Sequence, residues 1–224
     1  MTERVRKMLD FMLDRSYRKV RQEYEIDINE TYKTNNLSDL IIESLIIAAD
    51  KEKPLIYDGD IFGFNRYARC RLKFERTGED KTNSNSNNGN FTLDYDAFLS
   101  EGLDGIRARI ESKKSRNDVP FYDGLLRVLD VFNSIAQSQR EEAKRIGNVE
   151  LYEALCTVPQ KGAQTYYQAL VALKFLHYAV RLSDANHLGL GRMDVYLRSF
   201  YENDLKNGKT KEELLAEFIS NFTF

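Results

Sequence analysis

The segment Asn186-His187-Leu188-Gly189-Leu190-Gly191-Arg192-Met193-Asp194 sets two glycines either side of one apolar residue, the opening of a phosphate-cradling loop. The third glycine of that fingerprint is due three residues after Gly191, where Asp194 stands, and the pattern of a strand running into a helix at the glycines is lacking. Nucleotide binding is therefore not expected. The two histidines, His177 and His187, are ten residues apart with no cysteine nearby, which matches no zinc spacing. His177 falls on an apolar helical stripe and reads as a hydrogen-bonded core residue, whereas His187 sits in a Gly-rich loop, where functional residues concentrate. Asn203 to Leu214, with Gly208 sixth, overlays a calcium loop, but Leu205 and Leu214 occupy positions that must donate oxygen. That segment reads as a helix-ending turn. No serine lies in a Gly-x-Ser-x-Gly elbow, and no pair of carboxylates is singled out for acid–base work. Cys70 and Cys156, the only cysteines, lie in different predicted elements and are expected to be reduced thiols. No metal site is expected.

The elements around these residues are mostly helical. Val5, Met8, Leu9, Met12, Tyr17, Val20 and Tyr24 recur at three-and-four spacing, predicting one helix from Thr2 to about Tyr24. A second follows the cap candidate Ser38 through Ile41, Ile42, Leu45, Ile46 and Ala49. Leu55 to Phe62 places an Asp58-Gly59 turn between β-prone runs and predicts a hairpin. Ala68, Cys70, Leu72 and Phe74 alternate with charged residues as in a half-buried strand, with Cys70 inside. The polar run within 77–90 predicts a flexible loop and a candidate boundary.

Helical spacing returns at Tyr95, Phe98, Leu99, Leu103, Ile106 and Ile110, with Thr92 or Asp94 as cap. A long helix after Pro120 should stop at Gly147, a short one should run from Val149 to Cys156, and Pro159 should break it. From about Ala163 to Leu182 the pattern is apolar nearly all round, which requires burial inside a larger body. The expected class is mainly α, with a small β-hairpin or strand region near residues 54–76, in one helical domain or fragment covering 1–224.

Composition narrows the functions. With 33 basic and 35 acidic side chains the formal net charge is -2, which gives a nucleic acid nothing to bind. The apolar stretches Leu40 to Ala49 and Tyr166 to Val180 are too short or too interrupted to span a bilayer. Met1 to Asp14 lacks an apolar h-region and a cleavage site, so a cytoplasmic location is expected.

Several blocks occur together in one order. Pro159 precedes Gln164-Thr165-Tyr166-Tyr167-Gln168-Ala169-Leu170, then come Phe175-Leu176-His177, Leu190-Gly191-Arg192-Met193-Asp194-Val195-Tyr196-Leu197, Phe200 to Leu205 and Lys206 to Glu213. This order resembles the N-terminal part of glycyl radical enzymes of the pyruvate formate-lyase and diol-dehydratase type. Weaker echoes lie in Lys53 to Gly59, Asp94-Tyr95 and Glu101 to Ile106.

The resemblance implies the outer helices and first strands of an α/β barrel, and an anaerobic mechanism. A radical-SAM activating enzyme places a radical on a glycine, which passes it to a mid-chain cysteine that takes a hydrogen atom from the substrate. In the dehydratase-like members a glutamate closely follows that cysteine. Neither Cys70-Arg71-Leu72 nor Cys156-Thr157-Val158 fits, and no glycine-radical loop is visible. The resemblance thus implies a truncated portion of a homo-oligomeric enzyme, inactive alone, with no cofactor of its own and needing the activating enzyme and the missing part. The alternative is a self-sufficient helical interaction protein derived from that scaffold. Some dehydratase-like members have a substrate-contacting histidine where this chain has Asn90, and a serine where His187 or Gly189 stands. Those three are the candidate substrate-binding positions. Arg192 and Asp194 match the family element and are expected to be structural, tying their loop to neighbouring elements.

Overall fold

An apolar helix must be surrounded, and Tyr166–Leu182 is surrounded on nearly every side. The structure is a computed structural model that describes residues 3–27, 37–73, 88–114, 119–182 and 186–222. In chain order the helices are α1 Glu3–Leu13, α2 Tyr17–Val20, α3 Leu37–Asp50, α4 Tyr95–Lys114, α5 Val119–Arg145, α6 Val149–Leu155, α7 Tyr166–Leu182, α8 Met193–Tyr196, α9 Arg198–Lys206 and α10 Lys211–Phe222. The strands are β1 Gln22–Asp27, β2 Ala68–Lys73, β3 Asn88–Thr92 and β4 Asn186–Gly189. Helix α7 contacts α3, α4, α6, α9 and α10. Phe175, fully buried, anchors it: Phe64, Phe98 and Phe132 lie around its ring at centroid distances of 5.2, 6.1 and 6.0 Å. Such offset and edge contacts add to the burial energy of each ring.

The start of α7 is fixed by two side chains. Asp204 of α9, buried, accepts from the Tyr166 N–H at 3.1 Å, and Thr165 Oγ1 accepts from the Gln168 N–H at 3.2 Å. These groups satisfy donors that a helix start leaves open. The chain enters α7 through the 159–163 segment, which pairs with α4 where Gly102 interrupts it: Leu103 N donates to Pro159 O at 2.9 Å and Ala163 N to Leu99 O at 2.8 Å. Gly102 has φ +66, and a Cβ there would lie 2.6 Å from Gln160 O, so only glycine allows this approach.

The helices expected from Tyr95, after Pro120 and from Val149 all form, and α5 ends before Gly147, whose φ is +76. The Val158–Pro159 bond, where the break was expected, is cis. The segment from Asn203 is a helix end, with Gly208 at φ +97.

Four expectations are corrected. The helix from Thr2 to Tyr24 stops at Leu13, because the Asp14 carboxylate accepts from the Ser16 N–H and hydroxyl, both at 2.8 Å, and Arg15 takes a positive φ of 59. Tyr24 then lies in β1, which pairs in parallel with β2, Tyr24 opposite Cys70. The strand at residue 68 is present, but the hairpin before it is not. Asp58-Gly59 does turn, yet the flanking backbone is irregular because Asp60 takes the Phe62 and Gly63 N–H groups on one carboxylate oxygen at 2.8 and 3.2 Å. The flexible loop placed at 77–90 is corrected at its end, since Asn88–Thr92 is strand, as is Asn186–Gly189 in the segment read as a loop. Residues 77–87 lie outside the described residues.

Candidate functional site

Strands β3 and β4 bring together the two segments that carry the candidate substrate positions. They pair in parallel with Asn88 opposite Asn186, Phe91 opposite Leu188 and Thr92 opposite Gly189, and the register shifts between Asn88 and Phe91. Asn90 therefore lies on the strand alongside the one that carries His187 and Gly189. Helix α4 starts just beyond β3, Asp94 Oδ1 accepting from the Ala97 N–H at 3.2 Å, and this start fixes Tyr95.

Tyr95 locks the pair in place. Its hydroxyl donates to the Gly189 carbonyl at 2.8 Å and lies 3.1 Å from His177 Nε2 on α7. Its ring stacks on Tyr196, centroids 5.1 Å apart, and Tyr196 Oη donates to the Leu190 carbonyl at 2.7 Å. Gly191, at φ +63, lets the chain pass close to both rings; a Cβ there would sit 3.2 Å from Thr92 Cγ2. Burial pushes the Tyr95 phenol up to about 12, so it stays protonated and a donor.

Arg192 and Asp194 pair with each other, Nε and Nη2 on the two carboxylate oxygens at 2.8 and 2.7 Å, and both side chains are exposed. The contact is local and closes the turn into α8; among the described residues no hydrogen bond or ion pair of these two side chains ties the loop to a neighbouring element as expected. A pair this exposed adds little stability.

A cavity of about 590 Å³ adjoins β4. Leu188 and Leu190, which alternate with positions 187 and 189, line it together with Leu173, Lys174, His177, Tyr178 and Arg181 of α7. Arg21, Asn65 and Arg66 line it as well. Arg66 is held rigidly: Nε bonds Glu52 at 2.5 Å, Nη2 donates to Ala68 O at 3.0 Å and Nη1 donates to Arg181 O. Behind Lys174 lies Asp60, buried, whose second oxygen accepts from Asn65 Nδ2 at 2.5 Å. Burial raises the Asp60 carboxyl, and the Lys174 charge opposes that rise. Burial lowers the Lys174 ammonium to about 8, while Asp60 resists the change. His177 is lowered to about 4, first by burial and then by the charges of Arg181 and Lys174, so it is neutral at neutral pH. A second cavity of about 400 Å³ between α3 and α5 shares no lining residue with the first.

Asp60, Lys174 and Arg66 were not singled out by sequence reasoning. Asp60 fell within the hairpin expected over Leu55 to Phe62, and Lys174 within the apolar helix; a lysine on an otherwise buried helix was the one available signal. Cys70 is buried in β2, with Sγ 3.9 Å from Ala48 O and its thiol raised by burial, and Cys156 is exposed. Among the described residues no group of three or more His, Cys, Asp or Glu is placed to hold a metal ion, and no helix is long and apolar enough to cross a membrane.

This helical body with its short parallel strand pairs has counterparts among solved structures. The whole chain superposes on a Roseburia inulinivorans protein of 1,2-propanediol dehydration (TM-score 0.79, 13% identity, 39% of that chain). It superposes equally fully on the B12-independent glycerol dehydratase of Clostridium butyricum (TM-score 0.77, 14% identity, 39% of that chain). Residues 69–224 match the model of the pyruvate formate lyase-like family, and the chain belongs to that family.

Among curated proteins it is 22% identical over 149 residues to the probable dehydratase YbiW of Escherichia coli K12, covering 57% of this chain and 18% of that protein. It is 31% identical over 87 residues to the trans-4-hydroxy-L-proline dehydratase of Clostridioides difficile, covering 38% of this chain and 11% of that protein. The chain thus spans less than a fifth of these curated relatives and about two fifths of the solved structures.

Proposed function

We propose that the chain is the helical N-terminal portion of a glycyl radical enzyme of the dehydratase or lyase type, and that β3 and β4 carry one wall of its substrate site. The observation that carries this reading is the parallel pairing of β3 with β4, which sets position 90 beside positions 187 and 189, segments that Tyr95 ties together across 94 residues of sequence. Asn90, His187 and Gly189 are then the substrate-facing positions. Asn90 stands where dehydratase-like members present a histidine, and His187 or Gly189 where they present a serine, so a substrate hydroxyl would meet different groups here.

In this reading the chain supplies scaffold and binding surface, and the radical residues come from outside these 224. Cys70 is buried and paired into β2, and Cys156 ends α6 without a following glutamate, so neither is suited to meet a substrate as a thiyl radical. The partners are the rest of the enzyme, a second copy in a homo-oligomer, and a radical-SAM activating enzyme.

The test is anaerobic incubation with the activating enzyme, S-adenosylmethionine and reductant, followed by EPR and assays with 1,2-propanediol, glycerol and trans-4-hydroxy-L-proline. The chain alone should give neither a glycyl radical doublet nor turnover, and both should arise when a chain carrying the remaining residues is added. A doublet on this chain alone, or none with both chains present, would overturn the reading.

A second reading has one observation in its favour. Eleven residues of α7 are buried within this chain alone, which suits a self-sufficient helical interaction protein built on the family scaffold.

A further inference from the structure

We propose that the cavity beside β4 binds a small organic carboxylate, gripped at its mouth by the guanidinium groups of Arg21 and Arg181. Among the described residues, four cationic side chains, Arg21, Arg66, Lys174 and Arg181, line this cavity, and no carboxylate does. Two of the four are already matched: Arg66 is paired with Glu52, and Lys174 faces Asp60. Arg21 spends only Nε, on the Arg66 carbonyl at 3.3 Å, while its guanidinium lies over the Tyr17 ring at 5.1 Å. Arg181 gives its carbonyl to Arg66, and its guanidinium makes no ion pair among the described residues. Among the described residues the cavity thus holds two positive charges that no carboxylate matches.

Two further features select the ligand. A guanidinium presents a planar fork of donors that matches an oxyanion, and carboxylates are bound two-pronged by such forks. Leu173, Leu188 and Leu190 give the same cavity an apolar wall, and its volume of about 590 Å³ suits a small organic molecule better than a bare inorganic ion. Burial lowers the Arg21 guanidinium, Tyr57 opposes that fall, and the neighbouring Arg66 charge repels Arg21 in addition. An anionic head between Arg21 and Arg181 relieves this repulsion, and an apolar body covers the leucines. The inference rests on the charges and shape of the cavity and holds whether or not the chain takes part in radical chemistry.

Calorimetric titration of the full chain in low-salt buffer tests it, with benzoate, neutral benzamide and inorganic phosphate as probes. Benzoate should bind saturably, and benzamide at least about tenfold more weakly. Arg181→Gln, at an exposed side chain, should weaken benzoate by about tenfold or more without changing the unliganded Tm, and Arg21→Gln should weaken benzoate to a similar extent. Arg145→Gln, outside the cavity, should leave binding unchanged. The proposal is overturned if benzoate does not saturate, if benzamide binds as well, or if Arg181→Gln binds benzoate as the parent does. Phosphate binding without benzoate binding also overturns it, because the site then reads charge and not an organic acid.

Discussion

The Tyr95 hydroxyl lies between His177 Nε2, 3.1 Å away, and the Gly189 carbonyl, to which it donates at 2.8 Å. A phenol has one hydrogen, and Gly189 receives it, so the contact with His177 requires the proton on Nε2, with Oη accepting. One side chain thus joins α4, α7 and β4 and assigns the tautomer of the histidine. Replacing it by phenylalanine keeps the ring stack on Tyr196 and removes both hydrogen bonds. Tyr95→Phe should cost about 1–3 kcal/mol in urea unfolding, because a part-buried imidazole N–H and a carbonyl lose their partner. Unchanged stability would show that water replaces the hydroxyl at no cost.

The same histidine predicts a pH effect. Its ordinary pKa of 6.5 is lowered to about 4 in the folded protein, so the unfolded chain takes up its proton first as pH falls. The contribution of neutral His177 is full above about 6.5 and is lost as pH drops from there through about 4. Asp60 acts in the opposite direction, since burial raises its carboxyl and acidification then favours the fold. Comparison with His177→Gln cancels Asp60. Thermal unfolding from pH 7.5 to 4.5 should show the parent's advantage over the variant shrinking steadily with acid, and a constant gap would contradict the assignment.

What the sequence made legible follows from the range of each interaction. The stripe Tyr95, Phe98, Leu99, Leu103 is local, and all four residues are buried where spacing placed them. The parallel strands are not local: Gln22 meets Ala68 and Thr92 meets Gly189, and four to six residues carry too little periodicity to announce such partners. Asn88 to Asn90 looked like loop because polar, turn-forming residues seldom enter strands, and pairing with β4 overrides that preference. Polar residues inside the body, such as Asp60 and Gln139, had no sequence signal, since their burial depends on backbone groups folded around them. The family was legible because motif order survives where individual contacts cannot be read.

The aromatic cluster around Phe175 should be the costliest place to remove a side chain. Its ring is fully buried and touches rings from three other segments, which leaves no route for solvent or for collapse. Phe175→Ala is expected to lower unfolding stability by about 3–5 kcal/mol, against less than about 1 kcal/mol for Leu215→Ala, whose side chain is exposed. Equal effects at the two positions would argue against α7 as the organising helix.

Gly102 offers a test of the break in α4. Alanine there combines the cost of a left-handed conformation with a Cβ 2.6 Å from the Gln160 carbonyl oxygen. Gly102→Ala should destabilise by about 2 kcal/mol or more and accelerate exchange of the Leu103 and Ala163 amides, which bridge the two segments. Gly147→Ala has a similar φ of +76 but meets nothing within 4 Å, so the difference between the two variants isolates the steric part.

Hydrogen exchange on α7 separates the two functional readings. The helix is enclosed by α3, α4, α6, α9 and α10 of the same chain, and its first turn is held by Asp204. If the chain is self-sufficient, amides from Leu170 to Ala179 should exchange only through global unfolding, with protection matching the stability measured in urea. If the chain depends on the rest of an enzyme, those amides should exchange through partial openings well below that limit, and protection should rise when the complementing chain is added. The outer helix α10 provides the internal standard: Leu215 is exposed, so its neighbours should exchange early in either case. Slow exchange in α7 without the complement would favour the interaction-protein reading, while a protection gain confined to the surfaces of α7 and β4 on complementation would favour the enzyme portion.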